Sequence, residues 1–343
     1  MKKFLALLCA MAMILAIAAC GSKTGEPVTP EEPKMTGTET APAELTEYPF
    51  KNMTVIVPFK AGAALDNGCR LFCQYWEKHS GIHFVVENYP GANGQVGVSQ
   101  FLASPDDGSY LLWSPQPFLS SNIAVQGAEF KLEDLTLLNY HEIDPACLAV
   151  TADSQYKTFE DLEAAVKANP GQIKIGVSAG GGAAIMCALM IEQQGWDVKQ
   201  IVYDGGTELR TALLGGHIDA EVSLTEGCIQ NGDNVLLICA SGRNAILPDT
   251  PTVSEKLGAD FPTSLGTYRY VAVHTSLYEA HPEYYDFLLK TMESVYNDPD
   301  YQQALVENQT ASFISFVGPE TATRMQYEFD GLVQKYKDVI AGV

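Results

Sequence analysis

From residue 53 onward, short apolar runs alternate with amphipathic stretches, and small or glycine-bearing turns separate them. Strands joined through helices lie parallel in a shared sheet, because a parallel neighbour can be reached only by a crossover. Residues 53–57 read as a strand that ends at Pro58-Phe59-Lys60-Ala61-Gly62. A helix follows, with Asp66 or Asn67 as its expected N-cap and Cys69, Phe72, Cys73 and Trp76 spaced to share one face. Residues 83–87 and 110–113 continue the strands, with a helix near 95–103 between them. The rhythm resumes with a strand at 147–150, a capping box at Thr158 and Asp161, and strands at 173–177, 198–203, 218–224 and 235–240. Helices are expected at 282–297, 299–308 and 319–340, around a strand at 312–316, all packing on the first half.

Ahead of this body, Lys2 and Lys3 lead into an uncharged run over residues 4–19 that ends at Ala18-Ala19-Cys20-Gly21. A basic start, a short apolar run and small residues before a cut are the parts of an export signal. The run is shorter than the roughly 20 apolar residues of a spanning helix. Cysteine directly after Ala-Ala looks like the bacterial lipobox, which makes Cys20 the expected lipidation site; plain secretion is the alternative. Residues 21–47 are rich in Pro, Thr, Glu and Gly and read as a tether with a reach of roughly 25–30 Å. An exported protein, lipid-anchored to the outer face of the cytoplasmic membrane or else periplasmic, is therefore expected.

The formal charge is −21, and loss of Lys2 and Lys3 with the signal takes it to −23. That balance argues against nucleic acid and anionic lipid as partners. Cys69, Cys73, Cys147, Cys187, Cys228 and Cys239 lie largely in apolar stretches and read as core thiols, with no zinc or redox spacing. No metalloprotease, phosphate-loop or nucleophile-elbow motif occurs, so an exported enzyme is the weaker class and neither cofactor nor metal is expected.

In open α/β sheets, ligands bind at the loops leaving the carboxyl ends of strands. Four such loops, at 60–66, 90–94, 178–182 and 204–207, carry glycine or small polar residues and are candidates for one shared cleft.

These residues also carry a family resemblance. Tyr48-Pro49-Phe50-Lys51-Asn52-Met53-Thr54-Val55-Ile56-Val57-Pro58-Phe59, followed by Gly62 and Asp66, resembles the opening of the solute-binding proteins of tripartite tricarboxylate transporters, the Bug family. Val86-Glu87-Asn88-Tyr89-Pro90-Gly91-Ala92-Asn93-Gly94, Tyr203-Asp204-Gly205-Gly206 and Leu213-Leu214-Gly215-Gly216-His217-Ile218-Asp219 are similar in order and spacing. The resemblance implies an α/β, type II periplasmic-binding-protein fold: two Rossmann-like lobes joined by two crossing strands with a ligand cleft between. Lobe 1 would take 48–150 plus 268–343, lobe 2 would take 151–267, and the crossings would be 147–150 and 268–273. It further implies a monomer that captures a small carboxylate or amino acid for the membrane subunits of a transporter. A lipid-anchored receptor for a sensor is the alternative.

Carried over residue by residue, the first-lobe contacts fall on Phe59, Ala61, Gly62, Asp66, Ala92, Asn93 and Gly94. The second-lobe contacts fall on Ser178, Gly180, Gly181, Gly182, Ala183, Tyr203, Asp204 and Gly205. Lys60 and Arg269 are candidate counter-ions, and Ser114 and Gln116 candidate hydrogen-bonding groups. The chain departs from the family at Ala63-Ala64, where more glycine is common, at Ala183-Ala184-Ile185, where polar residues are common, and at Asp204, where a base is frequent. Those departures suit a ligand with an amine, or with one carboxylate and an apolar body, at least as well as a tricarboxylate.

Overall fold

The structure, a computed structural model, describes residues 45–179, 181–203, 205–244 and 246–341. Cys20, most of the expected tether, Gly180 and Asp204 lie outside the described residues. The chain order is β1 (Asn52–Val57), α1 (Ala64–Ser80), β2 (His83–Asn88), α2 (Gln95–Leu102), β3 (Tyr110–Gln116), α3 (Phe118–Ala124) and β4 (Leu135–Val150). Then come α4 (Phe159–Ala168), β5 (Lys174–Ser178), α5 (Gly181–Gln194), β6 (Lys199–Tyr203), α6 (Gly206–Leu214), β7 (Ala220–Leu224), α7 (Thr225–Gln230) and β8 (Asn234–Ile238). The last part is α8 (Val253–Lys256), β9 (Gly266–His274), α9 (Thr275–Ala280), α10 (Pro282–Tyr296), α11 (Pro299–Glu307), α12 (Pro319–Lys335) and α13 (Lys337–Ala341).

Strands pair in the order β2-β1-β3-β9-β4-β7-β5-β6, and β8 also pairs with β4. β1 is parallel to β2 and β3, and β5 is parallel to β6 and β7, as helical crossovers require. The long strand β4 unites the two sets. Its residues Leu135 to Pro145 lie antiparallel to β9, whereas Ala146 to Val150 pair with β7 and β8. The stretch expected to cross between lobes, 147–150, is thus the last four residues of one 16-residue strand and is already paired with β7 and β8.

Side-chain alternation puts a core on each face of the first sheet. Met53, Val55 and Val57 join Leu111 and Trp113 on one face, while Ile56 and Leu112 join the other. Cys69, Phe72, Cys73 and Trp76 are buried together, as their spacing predicts, and α1 packs on α10. A separate core under α5 holds Ile185, Met186, Leu189 and Met190 against Leu148, Ile175 and Val222.

Four local expectations need correction. Neither Asp66 nor Asn67 caps α1: the helix begins at Ala64, and the Asp66 carboxylate turns back onto the Gly62 N–H at 2.8 Å. The Thr158–Asp161 capping box does form. Residues 312–316 make no full strand, because the turn before Ile314 leaves only one bridge, to Glu142. The helix expected over 319–340 breaks at Tyr336, where Leu332, Tyr336 and Ile340 turn onto the second core and α13 packs on α5. The C-terminal helices therefore do not all pack on the first half. Among the described residues no helix is long and apolar enough to cross a membrane.

Candidate ligand cleft

The strand ends of the two sheets converge on a cavity of about 720 Å³. Its first-lobe side is built from Phe59, Lys60, Ala63 to Leu65, Pro90, Gly91, Asn93, Gly94, Pro115 and Phe118. Its second-lobe side takes Ser178, Gly181 to Ala183, Gly205, Gly206 and Arg210, then the β7–α7 segment from Glu221 to Leu224 and on through Glu226 and Gln230. Asp144, Thr267 and Arg269, from β4 and β9, form the floor.

Backbone packing defines the first-lobe rim. The Asp66 carboxylate, 1% exposed, accepts from Gly62 N at 2.8 Å, from Arg70 Nε at 3.0 Å and from Asn88 Nδ2 at 3.0 Å. Asn88 Nδ2 also donates to the Phe59 carbonyl at 3.0 Å, so the loop after β1 is tied to the end of β2. Burial pushes the Asp66 carboxyl up, but the bonds from Arg70, Gly62 and Asn88 outweigh it and hold it below its usual range. Asn122 of α3 donates to the Asn93 carbonyl at 3.3 Å and holds the second turn, while Phe59 and Phe118 meet edge to face at 5.4 Å.

Opposite that rim stands the N-terminus of α5, a helix end whose dipole favours an anion. Gly181 has φ +78°, and a Cβ there would sit 3.7 Å from Phe118 of the first lobe. The next position is closed to any side chain: a Cβ on Gly182 would lie 2.2 Å from the Gly266 nitrogen.

The floor and far wall are charged. Arg269 is ion-paired with Glu142 and stands 3.6 Å from Glu226, and all three side chains are buried. Asp144 Oδ1 accepts from the Glu226 N–H at 3.0 Å. Burial and the neighbouring Glu226 push Asp144 up to about 7, against the opposing pull of the Glu226 N–H and Arg269. Burial raises Glu142 well above the carboxylate range despite Arg269. Burial opposes the charge on Arg269, but Glu142, Glu226 and Asp144 more than compensate and raise it. Along the same wall, burial and Asp233 push Glu221 up to about 7, and Arg210 is bound to Asp233 by two contacts of 2.5 Å.

The cavity brings together Phe59, Lys60, Asn93, Gly94, Ser178, Gly181, Gly182, Ala183, Gly205 and Arg269 of the expected contacts. It does not include Ala61, Gly62, Asp66, Ala92, Ser114 or Tyr203 in its lining. Asp66 and Gly62 are consumed in bracing the loop, which is a positioning role. Ser114 is buried in β3 opposite Tyr270, and Gln116 is bonded to Ser120. Tyr203 packs on the small cluster of Leu209 and Ile218 beneath α6. Arg269 is not a free counter-ion, because Glu142 and Glu226 hold it. Sequence reasoning missed Asp144, Arg210, Glu221 and Glu226; the one available signal was an acid inside an apolar strand, for Asp144 of β4 and Glu221 of β7, whereas Arg210 on α6 and Glu226 on α7 gave none.

A profile described as "Tripartite tricarboxylate transporter family receptor" (TctC) matches residues 70–330. An Agrobacterium vitis relative, described as the UPF0065 protein in the TAR-I ttuE-ttuC' intergenic region, is 28% identical over 223 residues. That match covers 63% of this chain and 64% of the relative, so the chain spans just under two thirds of its length. A ligand-free TctC solute-binding protein from Polaromonas has the same fold, with TM-score 0.67 at 23% identity over 84% of this chain and 99% of that one. An adipate-bound R. palustris protein gives TM-score 0.71 at 19% identity over 86% and 98%.

Proposed function

Because the chain belongs to the TctC family of tripartite tricarboxylate transporter receptors, the Bug proteins, we propose that it captures a small carboxylate-bearing solute between its lobes and delivers it to the membrane subunits of such a transporter. The observation that carries this reading is the convergence of the Phe59–Leu65 and Pro90–Gly94 loops with the α5 N-terminus on one cavity. Phe59, Lys60, Asn93 and Gly94 on one lobe, with Ser178, Gly181, Gly182, Ala183 and Gly205 on the other, are the proposed contacts. Backbone N–H groups of these loops and the α5 dipole would hold a carboxylate, with Lys60 as a cation at the rim. The adipate of the R. palustris relative supports a carboxylate as the shared chemistry.

Capture needs no bond chemistry. A ligand that touches both lobes binds the closed arrangement better than the open one and shifts the population toward it, and the closed form is what the membrane subunits would accept. Lipidation at Cys20 would keep the protein within tether length of them. A Cys20→Ser variant should leave the membrane fraction without losing solute binding; continued sedimentation with membranes would contradict the anchor.

The test of capture is a melting-temperature screen of the full chain against carboxylates. At a hundredfold excess over Kd a specific ligand adds about 2.7 kcal/mol. A concentration-dependent rise supports the reading. A flat response to every carboxylate class contradicts it.

A further inference from the structure

Behind the second-lobe wall the chain gathers two thiols and two carboxylates. One oxygen of Glu221, one of Asp233 and the Cys228 sulfur all lie within 4.8 Å of one another. Cys228 Sγ is 3.5 Å from Glu221 Oε1 and 3.6 Å from Cys147 Sγ, so Cys147 extends the group to four. Of these only Glu221 lines the solute cavity; Cys147 and Cys228 belong to a small core between β4, α7 and β8.

The fold presets these positions. Across β4 and β7, Cys147 pairs with Ser223 and Ala149 with Glu221, so the Cys147 thiol and the Glu221 carboxylate leave the same face of that pair. Cys228 is on the helix that directly follows β7, and the Asp233 N–H donates to the Cys228 carbonyl at 2.9 Å. Two thiols 81 residues apart make no sequence motif, which is why spacing alone reads them as core thiols.

Independent observations point to a cation among them. Glu221 is 2% exposed, and the one side-chain hydrogen bond it accepts among the described residues comes from the Cys228 thiol, a weak donor. A buried carboxylate so poorly served is short of a proton or a metal. The distances fit a metal. Around a tetrahedral zinc, with Zn–S about 2.3 Å and Zn–O about 2.0–2.2 Å, two sulfurs stand about 3.8 Å apart and a sulfur and an oxygen about 3.5 Å. The observed 3.6 and 3.5 Å are close to those spacings. Asp233 is oriented by Arg210, whose Nη1 bonds both its oxygens and leaves each a further lone pair, as an outer partner of a metal-bound carboxylate does. By contrast Cys69 and Cys73, 3.9 Å apart, gather no third ligating group among the described residues.

We infer that Cys147, Cys228, Glu221 and Asp233 bind one zinc ion behind the solute cavity, which the ion enters past Glu221. Binding breaks two S–H bonds and forms two Zn–S bonds; both protons leave to solvent and no electrons are exchanged. Thiolate ligands select zinc over calcium and magnesium. The ion would tie β4, β7 and α7 together beneath the wall that faces the solute.

The test is a titration of the full chain, kept reduced, with zinc, cobalt(II), calcium and magnesium ions alone. One zinc per chain should bind and raise the melting temperature, with calcium and magnesium far weaker. Cobalt(II) should show visible bands of tetrahedral intensity and a sulfur-to-cobalt charge-transfer band in the near ultraviolet. Cys147→Ser and Cys228→Ser should each weaken zinc by about a hundredfold or more and diminish the charge-transfer band, since even outer partners of a metal are worth roughly 10–100-fold. Cys187→Ala, in the core under α5, should change neither. Absence of zinc binding, calcium binding as tight as zinc, cobalt without a sulfur band, or full zinc affinity in either serine variant would overturn the inference. So would a Cys147–Cys228 disulfide in the chain as isolated, which would assign the thiols to a cross-link. The cobalt spectrum of the unaltered chain keeps the test decisive where a serine variant fails to fold, and none of these outcomes bears on solute capture.

Discussion

The two sides of the cleft differ in how they make a surface. On the first-lobe rim, one buried aspartate, Asp66, spends its acceptors on Gly62, Arg70 and Asn88, and what faces the cavity is backbone, phenylalanine and a single lysine. Across the cleft, Asp144, Glu221 and Glu226 present carboxylates to the cavity and keep their arginines behind or between them. The same residue type is scaffold in one place and surface in the other. A rim of backbone donors recognises an anion by shape, whereas a charged wall discriminates among ligands that share that anion.

This contrast can be broken most severely where the two sides meet. A Cβ at position 266 would lie 2.3 Å from the Asp144 carbonyl, so Gly266→Ala should cost at the upper end of the ~1–3 kcal/mol that overpacking exacts, read as a fall in denaturant midpoint. An unchanged midpoint would mean that the floor is loosely packed. Asp66→Ala comes next. It takes the acceptor away from the Gly62 N–H, Arg70 Nε and Asn88 Nδ2 and loosens the loop, for an expected loss of about 2 kcal/mol. Affinity for a carboxylate should weaken with it, since this loop shapes the rim; unchanged affinity would detach the rim from the ligand.

The charged wall should respond with the opposite sign. Glu221 holds its proton up to about pH 7 in the folded protein and to about 4.5 when unfolded. A raised carboxyl pKa stabilises the fold at low pH and loses that contribution as pH rises between these values. Glu221→Gln should therefore raise the ligand-free stability at pH 8, by about 1 kcal/mol after allowance for its opening to the cavity, and change it little at pH 4.5. Equal shifts at both pH values would place the effect in packing.

Much of the architecture could be read without coordinates, because glycine turns after apolar runs mark strand ends and the α1 face follows from its spacing. The charged wall could not. Glu142 faces Arg269 only through the antiparallel register of β4 and β9, which joins positions 127 residues apart. Asp66 shows the converse error: an acid at a loop–helix junction looks like a cap or a contact, and only its burial between Arg70 and Asn88 identifies it as a brace. Tyr203 failed similarly, since its place at a strand end says nothing of which cluster its ring joins. The break at Tyr336 arises from packing on the second core, which no helical propensity records.

The central claim is that ligand sits between the first-lobe rim and the charged wall. Amide hydrogen exchange of the full chain, with and without the solute that raises its melting temperature most, tests this directly. The account predicts slowed exchange in residues 91–94, 181–183 and 221–226 together. Protection confined to one lobe, or centred outside these segments, would contradict it.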